Sequence, residues 1–159
     1  MIEIVEADLS SARHADALVM LMDGYALDPM GGGAGLSDYA KANLAAELRG
    51  RNGVHVILAF ADGAPAGLAV CQEGFSTFAC QPLLNIHDAF VTQSQRGKGL
   101  FKLMLQKIEA IAGALGCCKL TLEVLEGNHA AQAAYKVSGF AAYELDPRMG
   151  RALFWQKKL

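Results

Sequence analysis

A chain of 159 residues that is 53% hydrophobic and 19% charged is large and apolar enough to bury a core without metal or disulfide staples, which excludes a disordered chain. Its formal charge of −2 excludes the clustered Lys and Arg surplus that phosphate neutralisation demands, so no nucleic-acid partner is expected and a small molecule is favoured. One domain over residues 1–159 with a single cleft follows. The longest apolar run, residues 110–118, falls far below the ~20 residues that span a bilayer, and no membrane segment is expected. Cysteines 71, 80, 117 and 118 show no CxxC spacing and are expected as buried reduced thiols, with no metal site.

In chain order, Met1-Ile2-Glu3-Ile4-Val5-Glu6 reads as a strand, with acidic residues where a signal peptide needs basic ones, so a cytoplasmic location is expected. Ser10 or Ser11 can cap a helix whose apolar positions Ala15, Leu18, Val19, Met22 and Tyr25 recur every three or four residues. Pro29 and the glycines of residues 28–35 end it in a mobile loop. Ser37 caps a second helix running to about Gly50. Residues 54–61 and 66–72 form a hairpin around Asp62-Gly63-Ala64-Pro65. A strand over 83–92, a helix from about 97 to 115 and a strand over 119–125 then make a βαβ unit with a parallel pair. Within that helix, Leu100, Leu103, Met104, Ile108, Ile111 and Leu115 form one apolar stripe. Asn128 opens a short helix that Gly139 can end, and residues 140–143 and 152–156 suggest a closing hairpin. The fold class is therefore α+β: a mixed sheet with antiparallel N-terminal strands, a central βαβ unit and a C-terminal hairpin.

Gln93-Ser94-Gln95-Arg96-Gly97-Lys98-Gly99 joins the third β run to the long helix. Glycines at 97 and 99 let the backbone approach a ligand, and the helix's first amides present the positive end of its dipole. A diphosphate suits such a turn, while an ordinary strand-to-helix connection with solvated Arg96 and Lys98 is the plain alternative. A P-loop would need Ser or Thr after Gly-Lys, and a dinucleotide fingerprint would need glycine at Lys102. Neither pattern fits.

Val91-(four residues)-Arg96-Gly97-Lys98-Gly99-Leu100, followed by Asn128-(six residues)-Tyr135-(three residues)-Gly139-Phe140, resembles the two signatures of the GNAT acetyltransferase superfamily. Phe101 stands where the first signature has a small residue. A weaker similarity, carried by Gly74-Phe75-Ser76-Thr77-Phe78 and Ile86-His87-Asp88-Ala89-Phe90-Val91, is to the polyamine and thialysine branch, which has an acidic pair where His87-Asp88 stands. The resemblance implies a splayed parallel strand pair and acetyl-coenzyme A as cofactor. It implies that Arg96, Gly97, Lys98, Gly99 and Leu100 hold the diphosphate, that the backbone of Ala89, Phe90 and Val91 bonds the pantetheine like an added strand, and that Asn128 touches the same arm.

Acetyl transfer to an amine needs a base, because a free alkylammonium has a pKa near ~10.4, and an acid for the leaving thiolate. His87 and Asp88 are the candidate bases, acting directly or through water, and strand alternation allows only one to face the cleft unless a bulge intervenes. The superfamily commonly has such a bulge. Tyr135 is, by resemblance, the acid beside the cofactor sulfur. Tyr25, Asp28 and Met30 are candidate contacts to a small-molecule amine if the glycine-rich loop shapes the acceptor pocket. Three alternatives remain: a non-catalytic acyl-coenzyme A sensor, acetylation of a protein or peptide amine, and a homodimer-forming protein using the trailing hairpin.

Overall fold

The computed structural model describes residues 1–159. Five strands form one sheet in sequence order: β1 (Ile2–Glu6), β2 (Val54–Ala61), β3 (Ala64–Ser76), β4 (Gln81–Val91) and β5 (Leu120–Leu122). The first three junctions are antiparallel, and β4 and β5 are parallel. Helices α1 (Ala12–Leu27) and α2 (Asp38–Arg49) precede β2, α3 (Leu100–Ala114) links β4 to β5, and α4 (His129–Val137) follows β5. This is the mixed α+β fold expected, with its antiparallel start and central βαβ unit.

The apolar run of β2 is buried from Val56 to Ala61, as a strand covered on both faces must be. Val56, Leu58 and Phe60, with Leu68 and Val70 of β3, pack against Ala17, Leu18 and Leu21 of α1. Alternation turns Ile57 and Ala59 to the other face, where α3 supplies Leu100, Met104, Leu105 and Ile108. Gly67 permits that approach, because a Cβ there would fall 3.0 Å from the Met104 sulfur and 3.1 Å from the Phe90 carbonyl oxygen. Truncating Leu18, which is fully buried, to alanine would cost about 2–5 kcal/mol.

Ser37 caps α2 by accepting from the Ala40 amide at 3.2 Å. At α1, Ser11 occupies the cap position without a side-chain bond, while Ser10 bonds Asp8 instead. No helix is long and apolar enough to cross a membrane.

The chain divides into two compact units, Met1–Glu123 and Val124–Leu159. The first contains the sheet and α1 to α3. In the second, the expected closing hairpin is not formed: residues 140–143 and 152–156 carry no strand, and Leu153, Phe154 and Trp155 are exposed. A short 3-10 turn, Pro147–Met149, capped by Asp146 accepting from the Arg148 amide, is the regular structure between these two runs. An apolar pattern alone does not make a strand without ladder partners, and this unit contains no strand to supply them.

Candidate active site

The register between β3 and β4 slips once. Val70 opposes Asp88 but Cys71 opposes Ile86, so His87 is an extra residue without a partner on β3. A bulge of this kind breaks the strict alternation that would send neighbouring side chains to opposite faces. His87 is exposed, Asp88 is half-buried and Ile86 is in the core. Pairing of β4 with β5 also stops at Ile86, which opposes Leu122. From Asp88 to Val91, β4 is therefore bonded to β3 on one side and has no strand on the other. An open edge of this sort can accept an extended ligand as an added strand.

Beyond β4, a 3-10 turn over Gln93–Gln95 leads into Arg96-Gly97-Lys98-Gly99, and α3 starts at Leu100. Gly97 has φ +74° and Gly99, the N-cap, has φ +79° and ψ 8°. This left-handed conformation costs other residues about 1–2 kcal/mol. Nothing lies within 4 Å of a Cβ built on either glycine, so the outside of the turn is open. The amides of the helix's first turn point back at that space with the positive end of the macrodipole. Lys98 is exposed at its rim, while the Leu100 side chain is buried and anchors the helix start. The arrangement fits a diphosphate group.

The loop after α1 is more constrained than its glycines suggest. Asp28 Oδ1 accepts from the Met30 amide at 2.9 Å, and its carbonyl accepts from Gly31 and Gly33. Asp28 Oδ2 meets Arg96 Nη2 at 2.6 Å. At the far end of the loop, Asp23 accepts from the Leu36 amide at 2.8 Å and pairs with Lys41 at 3.0 Å. A Cβ on Gly31 would fall 1.9 Å from the Tyr25 carbonyl oxygen, so only glycine lets the chain turn this tightly against the end of α1. The expected mobile loop is thus a short, hydrogen-bonded turn tied at both ends. Met30 is partly exposed, whereas both Asp28 oxygens are already engaged.

Tyr25 stacks at a tilt on Phe90, with ring centroids 5.9 Å apart. Burial, with the neighbouring charges of Asp88 and Asp28, raises the Tyr25 phenol above its ordinary pKa. Burial likewise pushes the Asp88 carboxyl above the usual carboxylate range, against the opposing pull of His87. Asp28 goes the other way, because its hydrogen bond from Arg96 holds it below that range. Tyr25 and Asp88 are thus held towards their protonated forms, while Asp28 is held ionised in its pair with Arg96.

In the second unit, Asn128 caps α4 by accepting from the Ala131 amide at 3.2 Å. Tyr135 is half-buried on that helix and meets Phe140 edge-on at 5.9 Å. Of the four cysteines only Cys71 is buried. Cys117 is partly covered, Cys80 and Cys118 are exposed, and all four are free. Burial pushes the Cys71 thiol up to about 12, so it is inert at neutral pH.

A cluster outside this site gave no signal in the sequence. His55 is bracketed by Glu6 at 2.8 Å on Nδ1 and Glu73 at 2.9 Å on Nε2, across three neighbouring strands. Burial alone would lower its pKa, but the two carboxylates outweigh it and raise it.

The bulged strand that parts from β5 and the glycine turn at the N-terminus of α3 accord with the class of N-acetyltransferases. The chain matches the Acetyltransferase (GNAT) family over residues 21–140 and belongs to it. Among solved structures, its fold is similar to an integron cassette protein from the mobile metagenome of V. cholerae, at 23% identity over 98% of this chain and 93% of that one, with a TM-score of 0.75. It is also similar to the aminoglycoside acetyltransferase AAC(6')-Iy, in complex with the bisubstrate analog CoA-S-monomethyl-acetylneamine, at 19% identity over 100% and 99% of the chains, with a TM-score of 0.79. A third is the ribosomal-protein-alanine N-acetyltransferase of Brucella melitensis biovar Abortus 2308, at 16% identity over 100% and 98%, with a TM-score of 0.68. At these identities the likeness is one of fold. No curated protein sequence matches the chain.

Proposed function

We propose that this N-acetyltransferase moves the acetyl group of acetyl-coenzyme A directly to a primary amine of a small cationic molecule, in a ternary complex and within a single functional domain. The family match runs through residue 123 into the second unit, which supports one domain. The observation that carries the proposal is the bulge at His87: it brings half-buried Asp88 to the stretch where β4 loses its neighbour, just ahead of the Gly97–Gly99 turn.

Bound there, acetyl-coenzyme A would supply a thioester carbonyl activated toward amines. The backbone of Arg96-Gly97-Lys98-Gly99-Leu100, with the Lys98 side chain at its rim, would receive the diphosphate, and the free edge of Ala89, Phe90 and Val91 the pantetheine arm. Asp88 is the favoured base. Burial makes its carboxylate more basic than an ordinary one, so it can take a proton from the ammonium directly or through water, and its charge attracts a cation. His87 is exposed at the bulge and serves as its neighbour. With that first proton on Asp88, a carbon–nitrogen bond would form as the carbon–sulfur bond breaks, and the second amine proton would leave to water. Tyr135 would give the departing thiolate its proton and recover one from water, a role that rests on its place in the Asn128–Tyr135 motif.

A thiol-release assay with a panel of small amines tests this. Release that depends on a cationic amine supports it. Tight coenzyme A binding with no release on any amine would instead indicate a sensor, and release only with peptides would move the acceptor to a protein.

A further inference from the structure

Arg96 belongs to the cofactor turn by sequence, yet its side chain turns away from it. Nε donates to the Val91 carbonyl at 3.0 Å, and Nη2 donates to Asp28 Oδ2 at 2.6 Å. Its guanidinium carbon also lies 5.6 Å from the centroid of the Phe90 ring, on which Tyr25 stacks. One side chain thus touches the last residue of β4, the loop after α1 and the ring that joins them. The Asp28 side chain is 18% exposed and that of Arg96 49%. The carboxylate is the better buried partner and the one whose loss of pairing is felt most.

We propose that Arg96 is a positioning residue for the amine acceptor: it ties the loop carrying Asp28 and Met30 to the end of β4, so that a side chain of the cofactor turn sets acceptor affinity. The proposal rests on the acetyl-transfer function and deepens it. Asp28 is the hinge of this arrangement. Oδ1 organises the turn by accepting from Met30, and Oδ2 fastens that turn to Arg96. With Asp28 neutralised by Arg96, Asp88 is the acceptor side's carboxylate that remains to attract an ammonium. The bidentate reach of a guanidinium, to a carbonyl through Nε and a carboxylate through Nη2, is a geometry that lysine does not reproduce.

The test uses Asp28→Asn, which keeps an oxygen to accept from Met30 but removes the charge, with Arg96→Met, Arg96→Lys and the double variant Asp28→Asn/Arg96→Met. Amide hydrogen exchange over residues 28–36 of the free protein is read alongside the acceptor KM and the coenzyme A affinity of Asp28→Asn. Exchange should quicken by roughly three- to tenfold in each single variant, and acceptor KM should rise by a similar factor. The double variant should be no worse than either single one, because both remove the same tie. Arg96→Lys should recover only part of the effect, and Asp28→Asn should leave coenzyme A affinity unchanged. Unaltered exchange in folded Asp28→Asn and Arg96→Met proteins, or additive losses in the double variant, would overturn the tie. Quickened exchange with an unchanged acceptor KM would overturn the positioning role while leaving acetyl transfer standing. A chain that transfers no acetyl group would negate the function, and with it the acceptor role, while the exchange result would still decide whether the tie exists.

Discussion

Replacing Gly99 separates a conformational cost from a binding cost. Its φ of +79° lies where an L-residue is strained, and nothing lies within 4 Å of an added Cβ, so Gly99→Ala meets no clash and loses only backbone comfort. That is about 1–2 kcal/mol, which for a chain of this size lowers Tm by roughly 2–8 °C. Gly99→Asp carries the same strain, offset by the few tenths to 1 kcal/mol that an anion gains at a helix N-terminus. The free Asp variant should therefore be no less stable than the Ala variant. Coenzyme A should distinguish them, because the aspartate places negative charge where the diphosphate is received. Calorimetry should show affinity falling by at least ~100-fold in Gly99→Asp, a loss of about 2.7 kcal/mol or more, and much less in Gly99→Ala. Undiminished coenzyme A affinity in a folded Gly99→Asp protein would refute the cradle.

Three further outcomes are expected. Tyr135→Phe keeps the ring and should lower kcat by roughly 10²- to 10⁴-fold with cofactor affinity intact; a stable variant with full turnover would pass the proton to another group. Asp88→Asn should abolish the rise of kcat/KM with pH, whose inflection in the parent lies above the usual carboxylate range. Because folding raises that pKa, the native state binds the proton more tightly, and stability falls as pH climbs from the unfolded to the folded value. The Asn variant should therefore lose activity without losing Tm at neutral pH, and a large drop in both would mark Asp88 as structural. For His55 the same raised shift belongs to a base that is charged when protonated. Its contribution is complete below about pH 6.5 and fades as pH rises through the folded value, so His55→Gln should flatten the stability profile there; identical pH slopes in denaturant titrations would discount the Glu6–His55–Glu73 bracket.

What could be read in advance was what depends on neighbours in the chain. The 54–61 strand, the Ser37 cap and the Gly97–Gly99 turn are local patterns, and each has its counterpart in the structure; the stripe of α3 holds at Leu100, Met104 and Ile108, but Leu103 is exposed and Leu105 and Ala112 are buried in addition. The bulge at His87 is different in kind. It exists because β3 and β4 change register between Val70 and Cys71, and register belongs to a pair of strands, so the residues 86–89 alone are compatible with either facing. Arg96 and Asp28 lie 68 positions apart, and each has an adequate local explanation, one as a basic turn residue and one as a helix terminator. The same holds for His55, whose partners Glu6 and Glu73 come from the strands on either side.

The loop over residues 28–35 shows how composition misleads when tertiary bonds intervene. Glycine density measures the entropy a segment loses on ordering, not whether something supplies the free energy to order it. Here Asp23 and Asp28 do, through bonds to backbone amides and to two cations, and Gly31 is required because any side chain would strike the Tyr25 carbonyl. The C-terminal segment errs in the opposite direction. Leu153, Phe154 and Trp155 have the β-propensity of a strand, but propensity describes fitness for a pleated surface beside another strand. Where the unit supplies no such neighbour, the same residues stay irregular and exposed. A residue's pattern therefore proposes an element, and the partner that satisfies its polar groups decides whether that element forms.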